Sequence, residues 1–327
     1  MPGHDIILIG ASAGGVQALS VVIGGLPRDL PAAVFVVLHI APYGRSAMPA
    51  ILSRAGVLPA THAEDGEPIE PGRVYVAPAD HHLMLEPGRV RLSRAPTENG
   101  QRPSVDVLFR SAAQAYGPRC IGVVLTGNLD DGTIGLAVVK KYGGIAIAEN
   151  PEEADYPSMP RSAIQNVAVD HVSPLADIAP LLVGLAREPV AATSPLPEVE
   201  DMKTELEHGN DPEEKGVPSD LTCPDCGGSL RESRVDGVIH FRCRTGHAYS
   251  PETLLVKQAD VVDAAIWAAV RALQENAELA RRMDRRLQQT GLSGRIAHER
   301  YERRAQEAEH HAEVLRRLLM EDKTRVV

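Results

Sequence analysis

The sequence predicts an α/β chain: a doubly wound, mostly parallel sheet over residues 1–190, followed by a small zinc knuckle and an α-helical hairpin. Three observations carry that expectation. The segments Ile6–Ile9 and Val34–Leu38 are unbroken apolar runs rich in β-branched residues, as strands buried on both faces require. Helical stretches alternate with such runs up to residue 190, the pattern of βα units. A cysteine and histidine cluster and two heptad-like stripes then replace that pattern.

In chain order, the first strand ends in Gly10-Ala11-Ser12-Ala13-Gly14-Gly15, a turn that opens a helix over 16–24. Two chemistries use this arrangement. As a nucleophile elbow, the small residues let the chain turn sharply and project the Ser12 hydroxyl at the sheet edge. As a dinucleotide loop, Ser12 replaces a glycine where pyrophosphate must approach the backbone. The second strand, 34–38, decides between them. A nucleotide site wants a carboxylate after it, and the residue there is His39, the general base that a serine nucleophile needs.

Downstream, the pattern predicts a helix over 44–54, a polar stretch to Gly72, a strand over 73–77, and a hairpin of 83–86 with 90–92 across Pro87-Gly88. A helix over 104–116 follows, capped by Ser104, then a strand over 121–125 and the polar turn Thr126–Gly132. A helix over 133–142, strands over 145–148 and 167–169, and a closing helix over 174–186 complete the domain. Asp130 and Asp131 fall with Ser12 and His39 at the carboxyl edge of the sheet, where ligands bind in such folds. Either carboxylate suits the orienting role in a serine–histidine–aspartate set, and spacing alone does not choose between them.

The motifs Gly10–Gly15, Leu38-His39, Val74-Tyr75-Val76-Ala77-Pro78, Arg102–Phe109, Leu125-Thr126-Gly127 with Asp131-Gly132, and Ser158-Met159-Pro160 together resemble the catalytic domain of the CheB family of protein-glutamate methylesterases. The resemblance runs over residues 5–190. It implies Ser12 as nucleophile, His39 as base and Asp131 as the orienting carboxylate, with no catalytic cofactor. The implied reaction is hydrolysis of glutamyl methyl esters, with deamidation of glutamine beside it, on the cytoplasmic helices of chemoreceptors. Ala13 stands where the family commonly has threonine, and Asn128 takes the family's methionine position in the oxyanion loop. Backbone N–H groups of that loop survive both changes. Five residues precede the first strand, which leaves no room for the family's usual receiver domain and gives the expectation that control comes from elsewhere.

The net charge of −10 is unevenly distributed: residues 1–190 carry −5, residues 191–220 carry −7 and the remainder carries +2. The acidic, proline-containing segment 191–220 predicts a flexible linker, which makes the chemistry upstream of it self-sufficient. No region has the basic excess of a nucleic-acid face, and no run of 18 apolar residues predicts membrane insertion. The chain reads as cytoplasmic, since three of its four cysteines lie within 21 residues and suit a metal site in a reducing compartment.

Cys223, Cys226, Cys243 and His247 in residues 221–250 form two knuckles around a short hairpin, a closed structural zinc set with His240 as the second choice for fourth ligand. Cys120, at the start of a strand, reads as a small buried hydrophobe. Over 251–327, Ala259, Val262, Ile266, Ala269, Leu273, Asn276, Ala280, Met283 and Leu287 make one stripe, and Tyr301, Ala305, Ala308, Ala312, Leu315 and Leu319 a second. Two helices joined at 290–294 predict an antiparallel hairpin, either a docking surface for a methylated receptor or other helical protein, or a homodimer seam. The alternative to an esterase is a catalytically silent scaffold acting through this carboxyl-terminal region.

Overall fold

The computed structural model describes residues 3–41, 46–190, 216–235, 237–289 and 295–322. The chain forms two compact units, Met1–Leu254 and Leu255–Val327. In the first, seven strands pair in parallel in the order β3-β4-β2-β1-β7-β8-β9. They are β1 (Ile6–Ala11), β2 (Ala33–Leu38), β3 (Ala60–His62), β4 (Val74–Val76), β7 (Cys120–Val124), β8 (Ile145–Glu149) and β9 (His171–Ser173). The strands β5 (His82–Glu86) and β6 (Arg89–Ser93) pair as the expected antiparallel hairpin.

Burial on both faces follows from the apolar runs. In β1, Ile7, Ile9 and Ala11 point into one core with Leu19, Val22, Leu52 and Leu182, contributed by the helices α1 (Gly15–Gly24), α2 (Met48–Ala55) and α6 (Leu175–Arg187). Ile6 and Leu8 point the other way, toward Leu108, Phe109, Leu136 and Met159 on α3 (Val105–Tyr116), α4 (Thr133–Lys141) and α5 (Ser158–Asn166). The chain leaves β1 for β2, β4 and β3 on one side, and takes β7, β8 and β9 on the other. The strand order therefore reverses between β1 and β7, and in open parallel sheets ligands bind beyond the carboxyl ends of the strands at such a point.

Several expectations change. The last strand is 171–173 rather than 167–169, because Val167 closes α5 and Asp170, not Val169, hydrogen-bonds along β8. The polar stretch before Gly72 hides β3, whose three residues are too few to show a period. Of the helix expected over 44–54, residues 44 and 45 lie outside the described residues and α2 starts at Met48.

Residues 191–215 of the expected linker lie outside the described residues, while Val217–Thr222 forms strand β10 of a second, antiparallel sheet. That sheet runs β10-β11-β12-β13, with β11 at Ser229–Val235, β12 at Val238–Cys243 and β13 at Ala248–Tyr249. Leu230, Phe241, Tyr249 and Leu254 form its small core around Cys223 and Cys243.

The helices Pro251–Gln289 and Arg295–Asp322 are the predicted long pair. Within the second unit, Leu273, Ala277 and Ala280 pack on Tyr301, Ala305 and Ala308, and Arg281 pairs with Glu309 at 2.5 Å. The stripe on the second helix lies as read. On the first, Ile266, Leu273 and Ala280 lie as read, but Val270 and Ala277 are buried in place of the expected Ala269 and Asn276, so alternate positions of the seam fall one residue later. Heptad spacing is preserved, but the four-residue step falls earlier, which keeps the polar Asn276 out of an alanine-lined seam. Among the described residues no helix is long and apolar enough to cross a membrane.

Candidate active site

Ser12 and His39 leave adjacent parallel strands at the same level. Ala11 is in register with Leu38, and the His39 N–H donates to the Ala11 carbonyl at 3.2 Å. Ser12 sits in a tight turn. Its N–H donates to Thr126 O at 3.0 Å, its carbonyl accepts from Gly15 N–H at 2.9 Å, and Gly14 takes φ 73°, a value that glycine adopts without strain. The structure brings His39 and Asp131 together: Nε2 of the imidazole lies 2.7 Å from the Asp131 carboxylate, with side chains 9% and 3% exposed. Because a carboxylate only accepts, Nε2 carries the proton and Nδ1 is the basic nitrogen. Among the described residues the Ser12 hydroxyl has no hydrogen-bond partner.

Asp131 is held by far more than histidine. It accepts from Val105 N–H at 2.7 Å, Ser104 Oγ–H at 2.8 Å, Asn99 Nδ2 at 3.1 Å and Asp106 N–H at 3.3 Å. Two of these donors are the first N–H groups of α3, so Asp131 caps that helix from across the fold. Ser104 occupies the N-cap position but makes no side-chain cap, correcting the expected role; its hydroxyl goes to Asp131 instead. Burial pushes the Asp131 carboxyl up, but the bond to His39, the imidazole charge, Val105 N–H and the Ser104 hydroxyl outweigh it and hold it below its ordinary value.

Asp106 makes the reverse connection. Its carboxyl accepts from Gly132 N–H at 3.0 Å and Gly135 N–H at 2.6 Å at the start of α4, and from Asn99 Nδ2 at 2.9 Å. Burial, then the nearby Asp131 charge, raises it well above its ordinary value. Of the two buried carboxyls, the one that faces His39 is therefore the more readily ionised.

Asp130, the other candidate, points away from His39. One carboxyl oxygen accepts from Ser250 Oγ at 2.8 Å and Thr253 Oγ1 at 2.9 Å, and burial pushes its pKa from 3.8 to about 6.

On the oxyanion side, Gly127 lies against Ser12. A Cβ on Gly127 would come within 2.1 Å of Met159 Sδ and 2.8 Å of Ser12 Cβ. Thr126 knots the loops together: its N–H donates to the buried Glu149 at 2.7 Å, its hydroxyl donates to Ala13 O at 3.1 Å, and it accepts from Tyr156 N–H at 2.8 Å. Among the described residues the backbone N–H groups of Ala13 and Asn128 have no acceptor, and the Asn128 side chain is exposed. Sequence reasoning missed Asn99, Asp106, Thr126 and Glu149. The Arg102–Phe109 motif contains Asp106, but a carboxyl two residues into a helix reads as ordinary charge for the first turn.

In the second sheet, the ligand atoms of Cys223, Cys226, Cys243 and His247 all lie within 4.8 Å of one another. Cys226 and Cys243 sulfurs are 3.7 Å apart, and His247 Nδ1 is 3.7 Å from Cys223 and 3.6 Å from Cys243. A tetrahedral zinc ion with bonds of about 2.3 Å to sulfur and about 2.0 Å to nitrogen has edges of about 3.6–3.8 Å, so these residues fit it. A disulfide needs sulfurs about 2.05 Å apart. His240 is not in the cluster: its Nε2 lies 3.8 Å from Glu98, and burial lowers its pKa to about 3. Cys120 is fully buried, with its thiol pushed up by burial, as expected of a core residue.

An α/β domain with a serine turn, a histidine and a buried carboxylate gathered where its strand order reverses has the layout of a serine hydrolase. The family model described as CheB methylesterase matches residues 7–182, more than half of the sequence, and the chain belongs to that family. A protein-glutamate methylesterase/protein-glutamine glutaminase of Anaeromyxobacter dehalogenans is 43% identical over 183 residues, covering 56% of this chain and 54% of the relative. A putative enzyme of the same name from Leptospira interrogans is 38% identical, also over 56% of this chain, and is covered over 95% of its length. The crystal structure of the Thermotoga maritima CheB methylesterase catalytic domain matches with a TM-score of 0.54 and 38% identity, over 57% of this chain and all of that one. The chain spans about half the length of most of the curated relatives it matches.

Proposed function

We propose that the chain is a serine hydrolase that removes methyl esters from glutamyl side chains of chemoreceptor-like proteins, and that it deamidates glutamine at the same site. The observation that carries this reading is the 2.7 Å pairing of His39 with Asp131 on the strand next to the one that ends at Ser12. Ser12 Oγ attacks the ester carbonyl while His39 Nδ1 takes its proton, and Asp131 holds the ring in the tautomer that leaves Nδ1 basic. The backbone N–H groups of Ala13 and Asn128 receive the negative oxygen of the tetrahedral intermediate. Collapse breaks the bond to the methoxy group, which takes the proton from His39 and leaves as methanol. Water then attacks the seryl ester, His39 again accepts a proton and returns it to Ser12 Oγ, and glutamate is released. With glutamine the leaving group is ammonia.

The substrate class implies action on cytoplasmic helices, with the long helical pair as a docking surface for a helical substrate or as a homodimer seam. The Cys223, Cys226, Cys243 and His247 set holds a structural zinc ion, since four protein ligands leave no open position. The test is methanol release from methylated receptor fragments, with and without Ser12→Ala. Ser12-dependent release supports the esterase; no release from any fragment leaves the scaffold reading.

A further inference from the structure

We infer that Asn99 is a positioning residue for the Asp131 carboxylate, and that the Cys3His sheet holds Asn99 in place, so that metal occupancy of that sheet sets the rate of chemistry at Ser12. The inference rests on the esterase reading above and deepens it.

Asn99 joins two parts of the first unit. Its Nδ2 group donates to both carboxyls of the buried pair, Asp106 at 2.9 Å and Asp131 at 3.1 Å. Its Oδ1 accepts from Ser250 N–H at 2.9 Å, and its own N–H donates to the Ala248 carbonyl at 2.8 Å. All the polar atoms of the side chain are thus committed, in a residue 3% exposed with φ 52°. That left-handed conformation is tolerated by asparagine and keeps the amide aimed at the carboxyls.

The metal-ligand sheet supplies the other half of the grip. Ala248 follows the ligand His247 directly, and Ala248 N–H returns a bond to Thr97 O at 3.3 Å. Thr97 Oγ1 donates to Asp225, between the ligands Cys223 and Cys226, at 3.0 Å. Ser250 Oγ and Thr253 Oγ1 bind Asp130, the residue before the carboxylate that faces His39. Glu98, bonded to Arg110 at 2.5 and 2.8 Å, lies 3.8 Å from both His240 and Arg242 of β12. The two residues before Asn99, together with Asp130 leading into Asp131, are therefore anchored by the segment that the metal ligands fold. A sheet with so small a core keeps its shape through its metal. Loss of the metal frees Ala248 and Ser250, then Asn99, then the carboxylate that fixes the His39 tautomer.

The experiment uses the full, zinc-loaded chain and p-nitrophenyl acetate. Asn99→Gly keeps the backbone conformation available and removes the amide. It is expected to lower kcat about ten- to hundredfold with KM unchanged, the value of one hydrogen bond to a charged group. Zinc removal by a chelator should give a loss of the same size, and chelating Asn99→Gly should add less than about twofold, because one path is broken twice. In an Asp131→Asn background, Asn99→Gly should likewise cost less than about twofold. Full turnover by Asn99→Gly, or losses that multiply independently in either background, overturns the inference. The downfield NMR resonance of the His39 ring proton bonded to Asp131, assigned by its loss in Asp131→Asn, gives a readout without turnover. It should broaden or shift upfield in Asn99→Gly and in chelated protein. An unchanged resonance in both refutes the positioning role whether or not the chain hydrolyses esters. Equal ester turnover by wild type and Ser12→Ala refutes the esterase reading, and the resonance still decides the role of Asn99.

Discussion

Replacing Asp130 by asparagine should stabilise the protein at neutral pH while leaving chemistry intact. The side chain is 6% exposed, and its carboxyl is pushed from 3.8 to about 6, mainly by burial, against the two hydroxyl bonds from Ser250 and Thr253. A value raised in the folded state means that Asp130 favours folding while protonated, fully so below about pH 4, and that this contribution is lost as pH rises through about 6. Two pK units correspond to about 3 kcal/mol. Asparagine keeps an oxygen that accepts from both hydroxyls but adds an amide N–H2 to satisfy, which offsets about 1 kcal/mol. The net gain of about 2 kcal/mol at pH 7.5 corresponds to about 4–8 °C in Tm for a unit of this size. Thermal melts of wild type and variant at pH 4.5 and 7.5 check it, since the difference between the two proteins cancels the pH dependence they share. The advantage should appear at pH 7.5 and vanish at pH 4.5. An equal shift at both values, or destabilisation at pH 7.5, would refute the reasoning. Loss of esterase turnover in this variant, with Asp131→Asn unaffected, would show that the roles of the two aspartates are reversed.

Ser12→Ala and His39→Ala should each abolish most ester turnover, and the double variant should lose little more, because the residues act as one unit; rates that multiply would contradict a shared mechanism. Gly127→Ala should lower turnover by at least about tenfold and destabilise the fold, since its Cβ would be forced within 2.1 Å of Met159 Sδ and 2.8 Å of Ser12 Cβ. Steady-state kinetics and a urea titration check both parts. Elemental analysis should find about one zinc per chain, and Cys243→Ser should lose it and expose residues 216–250 to proteolysis; stoichiometric zinc in that variant would place the metal elsewhere.

The sheet and the carboxyl edge were legible because β1 and β2 are unbroken apolar runs, and a parallel strand buried on both faces leaves no other pattern. The adjacency of Ser12 and His39 followed from that alone. The partner carboxylate did not: Asp130 and Asp131 are neighbours in sequence, and their separation depends on which way each points from a turn where Leu129 takes φ 63°. Asn99 was invisible for a related reason. It lies in a loop between a hairpin and a helix, and its partners Asp131 and Ser250 are 32 and 151 positions away. Local patterns also left residues 217–220 in the linker although they are paired as a strand. Val217–Thr222 has a strand's pairing but carries Pro218 and Asp220, and it is the antiparallel partner β11 that makes it a strand.

The span between Asn99 and Ser250 also orders events during synthesis. The seven parallel strands and their six helices are complete once residue 187 has emerged, and they can close around the apolar residues of β1 at that point. Ser250 and Thr253 follow more than 60 residues later, which at about 5–20 residues per second is a delay of about 3–13 s. During that interval the newborn domain has its serine, its histidine and both aspartates, but Asn99 and Asp130 still lack the hydroxyl and amide partners that Ser250 and Thr253 bring just after the last strand of the second sheet. The contacts that hold Asn99 and Asp130 are therefore the last to form, so a chain truncated before residue 250 is left compact but unfinished.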